Sequence, residues 1–192
     1  ALDLGIPVEE AEEAVELWLA QFPQAAEWLA QMEDEAVNQG YVVSPFGRWR
    51  RLPEAASTDV SVANRAKRQA RNTPIQSAAS DCCIYAACTL RRALRYSENE
   101  GLRATKLINT VHDSLIAEAP ADKDVVRAYA KLARDTFSDP DMLMEDFGIK
   151  ITVPLAVDFD VGVNWGNLRD YDFSEGSLDE AMHDAEVMRL QP

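Results

Sequence analysis

Residues 64–81 read Asn64-Arg-Ala-Lys-Arg-Gln-Ala-Arg-Asn-Thr-Pro-Ile-Gln-Ser-Ala-Ala-Ser-Asp81. Arg65, Lys67, Arg68 and Arg71 crowd the first half, and small residues follow Pro74. The stretch lies inside a helical region expected from Val60 to Arg95. Pro74 has no N–H to donate, and residues before proline avoid helical geometry, so a break or kink is expected at Asn72-Thr73. If the helix continues through that point, Arg68, Asn72 and Gln76 fall at successive i, i+4 positions and stack on one face. The downstream half, Ser77 to Tyr96, is rich in Ala and Cys and reads as a buried helix.

The basic residues belong to a larger block. Residues 48–106 carry twelve Lys or Arg against five acids, a local charge of +7 in a chain of net charge −14, which leaves −21 for the remainder. No Lys or Arg precedes Arg48. A basic block inside an acidic chain is the electrostatic footprint of a polyanion site, and a solvated helix face is its alternative. A hydrophobic content of 47% with 27% charged residues is that of a soluble globular protein, and 192 residues can form one core or part of a larger one. No apolar run is long enough to span a bilayer and no signal-peptide pattern opens the chain, so no membrane is expected. Ala1 in place of Met suggests a chain trimmed, processed or excised from something longer. Cys82, Cys83 and Cys88 are odd in number and match no zinc or redox spacing; they read as small buried hydrophobes in a reducing cytosol.

Outward from the basic stretch, helices are expected over residues 8–20 and from about Gln24 to Asn38, with Gly40 as the second helix's C-cap. Tyr41 to Pro53 reads as a hairpin, with turn chemistry from Pro45 and Gly47. A further helix is expected from Asp122 to Phe137, and a strand from Ile149 to Val157 with a short return to Asn164-Trp165. Ser177-Leu-Asp-Glu180 is a candidate capping box for a last short helix in an acidic tail from Gly166. The fold class expected is α+β, with helices leading into a small, mostly antiparallel sheet.

The segment Thr105 to Pro120 carries two β-branched, apolar strands flanking a tight His112-Asp113 turn, and the second ends at a proline that cannot extend a ladder. A carboxylate at a hairpin tip is presented by rigid backbone, where it can help hold a hard divalent cation for phosphoryl chemistry. By itself it can equally cap its own turn.

Taken together these segments resemble the DNA polymerase I type of family A DNA polymerases. Residues 64–81 follow the family signature R-x-x-x-N-x-P-[IM]-Q-[GS]-x-A-x-D. Leu4-Gly-Ile-Pro7 and the acidic helix after it resemble the end of the fingers. Gly40-Tyr-Val and Gly47-Arg-Trp-Arg-Arg-Leu-Pro53 resemble the G-Y-V and G-R-R-x-x-L-P hairpin. Val111-His-Asp113 resembles motif C of the palm, and Val153-Pro-Leu155 with Gly162-Val-Asn-Trp165 resembles the closing strand and terminus. The resemblance covers about residues 2–165, in the family's order. It implies helices from the end of the fingers over 1–40, a palm portion over 41–165 and an added acidic tail over 166–192.

The resemblance implies two-ion nucleotidyl transfer with Mg²⁺, to which Asp113 contributes a metal ligand, while His112 contacts the primer terminus. It assigns Arg68, Asn72 and Gln76 to the minor groove of the primer-template duplex, where donors to purine N3 and pyrimidine O2 check pair geometry without reading sequence. Arg65, Lys67 and Arg71 suit phosphates or solvent, and Asp81 ties the helix structurally. Arg48, Arg50 and Arg51 suit backbone phosphates or packing of their stems against Trp49. The implied partners are primer-template DNA, a dNTP and an N-terminal polymerase remainder carrying motifs A and B; the implied location is the cytosol of a bacterium or phage-infected host. Ser114 departs from the Glu that many members carry after the motif C Asp, and Glu118 is too far along the strand to replace it. The chain is therefore expected to be a C-terminal polymerase fragment or subunit, inactive alone. A metal-dependent nuclease and a non-catalytic DNA-binding or processivity module are the rival classes.

Overall fold

The computed structural model describes residue 5 and residues 7–189, with side-chain surroundings as far as His183. Leu4 and Ile6 of the first resembling segment lie outside the described residues. The chain divides into two compact units, residues 1–79 and 80–192. The fold is α+β, with the described strands forming three separate two-stranded antiparallel hairpins.

In the first unit, α1 (Val8–Gln21) is followed by α2 (Pro23–Gln39), whose first helical residue is a proline that loses no bond there. Gly40 ends α2 at φ +75°, donating its N–H to the Ala36 carbonyl, and turns the chain into β1 (Tyr41–Val43). β1 pairs with β2 (Trp49–Arg51), with Val42 opposite Arg50. The buried Ser44 closes the connecting turn, its hydroxyl accepting from the amides of Phe46 and Arg48. A 3-10 turn (Pro53–Ala56) leads to α3 (Val60–Arg95), which Asp59 caps by accepting from the amides of Ser61 and Val62. Met32, Ala36, Val42, Leu52, Ala55, Ala66 and Ala70 form the core, with Trp28 and Val37 packed against it. Alternation in β1 sends Val42 into that core, and the i, i+4 rule does the same for Ala66 and Ala70. None of the α1 side chains is buried.

α3 corrects one expectation. It runs unbroken through Asn72-Thr73 and Pro74 for 36 residues. An interior proline costs a helix roughly 3 kcal/mol, and two features offset that here. Pro74 is buried one turn beyond Ala70 and two beyond Ala66, continuing their stripe, and long helical arms extend on both sides.

The second unit holds the rest of α3 and a short α4 (Glu100–Ala104) capped by Asn99. Then come β3 (Lys106–Val111), β4 (Ser114–Glu118), α5 (Lys123–Phe137), α6 (Met144–Phe147), β5 (Asp160–Gly162), β6 (Leu168–Asp170) and α7 (Glu175–Arg189). Leu90, Leu94 and Ala133 form one core cluster with Leu107 and Leu115 against it; Val126, Ala130, Tyr171 and Leu178 form another. The Ser77–Tyr96 stretch is buried on one face only, through Asp81, Ala86, Leu90 and Leu94. Cys82 and Cys83 are half-buried and Cys88 is exposed, so the cysteines are not the buried hydrophobes expected.

Two further expectations shift. Residues 149–157 form no strand: the Ile149 and Ile151 amides bond back to the Leu143 and Pro140 carbonyls, and Pro154 offers no donor for a ladder. The pairing occurs later, between β5 and β6. The last helix starts before Ser177. Ser174 is the cap, its hydroxyl accepting from the Ser177 amide, while Ser177 itself sits in the first turn.

Candidate nucleic-acid interface and carboxylate-tipped hairpin

On the first unit, α3 and β2 enclose an open groove of about 430 Å³. Arg68, Asn72 and Gln76 line it together, because α3 continues through Pro74 and keeps their i, i+4 alignment. Arg65, Gln69 and Thr73, themselves at i, i+4 spacing, form a parallel row in the same lining, and Arg50 reaches in from β2. Sequence reasoning named Arg65, Arg68, Asn72 and Gln76. It missed Gln69 and Thr73, although their spacing from Arg65 is a readable signal, and it left Arg50 between two roles.

Arg71 and Lys67 are placed differently. Both turn towards α2, where Arg71 pairs with Glu33 and the Lys67 Nζ lies 3.9 Å from the same carboxylate. The Arg71 Nε is buried without a hydrogen-bond partner among the described residues. Arg71 thus joins α3 to α2 and does not line the groove.

On the second unit, β3 and β4 present His112 and Asp113 as a two-residue tip, closed by the Val111–Ser114 pair. Both tip residues are exposed. His112 has φ +55°, the left-handed region that a primed hairpin turn requires at its first central position. Histidine is among the few residue types besides glycine enriched there. The Asp113 backbone carbonyl accepts from the Cys83 Sγ at 3.7 Å, tying the tip to α3 within this unit. Burial pushes the Cys83 thiol upward and the Asp113 charge adds to it; Cys82 is raised by burial and then by Asp81. Both thiols are held neutral, against a nucleophilic role.

Asp113 is an exposed hard oxygen donor at the tip, the donor type that hard divalent cations take. Among the described residues, no group of three or more His, Cys, Asp or Glu could hold a metal. Ser114 begins β4, and Glu118 stands at its far end opposite Lys106, about 13 Å on at 3.3 Å per residue. Asp81 is buried on α3. No described helix is long and apolar enough to cross a membrane.

The first unit thus presents a groove of guanidinium and amide donors, and the second a hairpin with a carboxylate at its tip. The chain belongs to DNA polymerase family A, whose family model matches residues 1–167. It is 38% identical to DNA polymerase I of Chloroflexus aurantiacus over 86% of this chain and 16% of that protein. It is 34% identical to the thermostable DNA polymerase I of Thermus aquaticus over 85% of the chain and 18% of that protein. A DNA polymerase of Bacillus phage SP01 is 31% identical over 83% of the chain and 17% of its own length. The chain thus spans about a sixth of the length of these relatives. Among solved structures, the POL domain of Pol1 from M. smegmatis, in complex with DNA primer-template and dNTP, superposes with a TM-score of 0.67 at 27% identity. That match covers 81% of this chain and 25% of that one.

Proposed function

We propose that this chain is the C-terminal fragment or subunit of a template-directed DNA polymerase, supplying the motif C carboxylate and primer-template contacts for nucleotidyl transfer. The observation that carries the reading is the groove on α3, where Arg68, Asn72 and Gln76 face one opening in the first unit. Its ligand is the primer-template duplex. Arg68 and Gln76 donate to the minor-groove acceptors common to every correct pair, so that a mispaired geometry loses hydrogen bonds. Asn72, between them, contributes an amide to the same edge. Arg65 belongs to the phosphate side.

Asp113 offers its carboxylate to Mg²⁺ from the hairpin tip, and His112 donates to a phosphate or sugar oxygen at the primer end. Mg²⁺, when bound, supplies an activated 3′ oxygen and neutralises the triphosphate. The ordered hairpin limits how far the Asp113 oxygens can drift from it. Ser114, where the family resemblance implies Glu in many members, leaves Asp113 with a hydroxyl neighbour able to hold a water. The dNTP and the remaining ligands are contributed by a polymerase portion carrying motifs A and B. Functionally, residues 1–40 are helices from the end of the fingers, 41–165 a palm portion, and 166–192 an added tail.

Two measurements on the chain by itself test this. Duplex DNA binding should weaken about tenfold in R68A and in Q76A, in line with roughly 1–3 kcal/mol for each groove interaction. Primer extension with Mg²⁺ and dNTPs should be absent. Robust extension by the chain alone would overturn the fragment reading, and unaltered binding in both variants would overturn the groove assignment.

A further inference from the structure

α3 and its neighbouring hairpin carry more arginine than the minor-groove assignment uses, and the structure sorts those residues sharply. Lys67 and Arg71 share Glu33 as their ion-pair partner. Arg50, Arg65 and Arg68 line the groove with no carboxylate partner among the described residues, and the groove lining contains no acid at all. Three like charges in one concavity repel one another unless an anion joins them.

We propose that Arg50, positioned by Gln69, forms with Arg65 a clamp on a phosphodiester backbone of duplex DNA, beside the base-edge donors of the same groove. The clamp rests on the duplex-binding reading above and adds to it the residues that grip the strand. Register explains why Arg50 and not its neighbours takes this role. Arg50 lies opposite Val42, so strand alternation puts it on the core-facing side towards α3. Trp49 and Arg51 take the other side, where Trp49 stacks on Tyr41 at 4.3 Å between centroids. An Arg50 guanidinium N–H donates to the Gln69 Oε1 at 3.4 Å, holding the fork over α3 while leaving its other donors open. Guanidinium forks suit phosphate oxygens bidentately, and the Thr73 hydroxyl extends the donor row.

Length decides between the two sources of phosphate. From Arg65 to Gln76 the lined face runs about 16 Å at 1.5 Å per residue. A free triphosphate would fill part of that row, whereas a strand places phosphates along all of it.

The test is the salt dependence of duplex binding by the full chain. Removing one phosphate-binding cation makes the slope of log K against log salt shallower by about 0.9. R50A and R65A should each show that change, and R50K and R51A should keep the wild-type slope. Q69E sets a carboxylate beside Arg50 and should follow R50A, a result that a merely structural Gln69 would not produce. Wild-type slopes in R50A and R65A, with R68A still weakened, would overturn the clamp and leave the duplex-binding reading intact. Failure of R68A and Q76A to weaken binding would overturn the reading itself. Tripolyphosphate displacing the duplex one for one, or a single strand of equal length binding as tightly, would also overturn the clamp.

Discussion

His112 occupies φ +55° in a two-residue turn, and no glycine shares the strain. The ladder on either side holds it, so the imidazole and the Asp113 carboxylate are exposed on backbone that cannot relax far. In a complemented polymerase, H112A should raise the primer-template KM about tenfold, equivalent to losing one hydrogen bond to a charged group of about 1.5 kcal/mol. Steady-state extension with varied primer-template measures it, and an unchanged KM would remove His112 from the primer end. Residue positions were partly legible beforehand. The spacing of Arg68, Asn72 and Gln76 put them on one face, and the structure keeps them there. Arg71 was ambiguous because spacing cannot say where an acid such as Glu33 will sit; only the packing of α2 on α3 resolves it.

Helix α7 shows what an element-level pattern can and cannot reveal. A last helix was legible from Ser177-Leu-Asp-Glu180, but its true start was hidden by a network of short polar side chains. The Asp172 carboxylate accepts from the Ser174 amide and the Ser177 hydroxyl, at 2.9 Å and 2.6 Å, and these bonds hold it well below the usual carboxylate range, at about 2. A lowered acid pKa contributes stability that is complete above the ordinary value and lost as pH falls towards the folded one. Hydrogen exchange over residues 174–183 should therefore accelerate between pH 4 and about 2, and D172N should abolish that pH dependence. In its described part the tail is packed and paired. Leu178 is fully buried with Tyr171 and Val126, and Lys123–Asp179 and Arg127–Glu175 ion pairs join α7 to α5. Leu178→Ala should cost about 2–5 kcal/mol, read by chemical denaturation; a change within error would mean α7 does not dock there. The opposite failure, the missing strand over 149–157, has the same origin. Alternating apolar residues signal a strand only if a partner edge is available, and one sequence does not name the partner.

At the scale of the molecule, the chain offers surfaces that its own units leave open. Val15, Leu17 and Trp18 of α1 and Phe22 just after it are exposed, as are Val153 and Trp165. In a chain spanning about a sixth of its relatives' length, these are the faces on which we place the polymerase remainder. The family was legible because several short motifs recur in order, each tied to a backbone feature: the αL glycine at 40, the hairpins and the α3 face. A metal site was not, since no group of three or more potential ligands gathers among the described residues. The most direct test adds the chain to a polymerase portion bearing motifs A and B and measures Mg²⁺-dependent primer extension alongside DNA binding. Wild type should restore extension, and D113A should abolish it while duplex affinity stays within about twofold, as expected when the groove side chains are untouched. Extension by D113A at the wild-type rate would contradict the account.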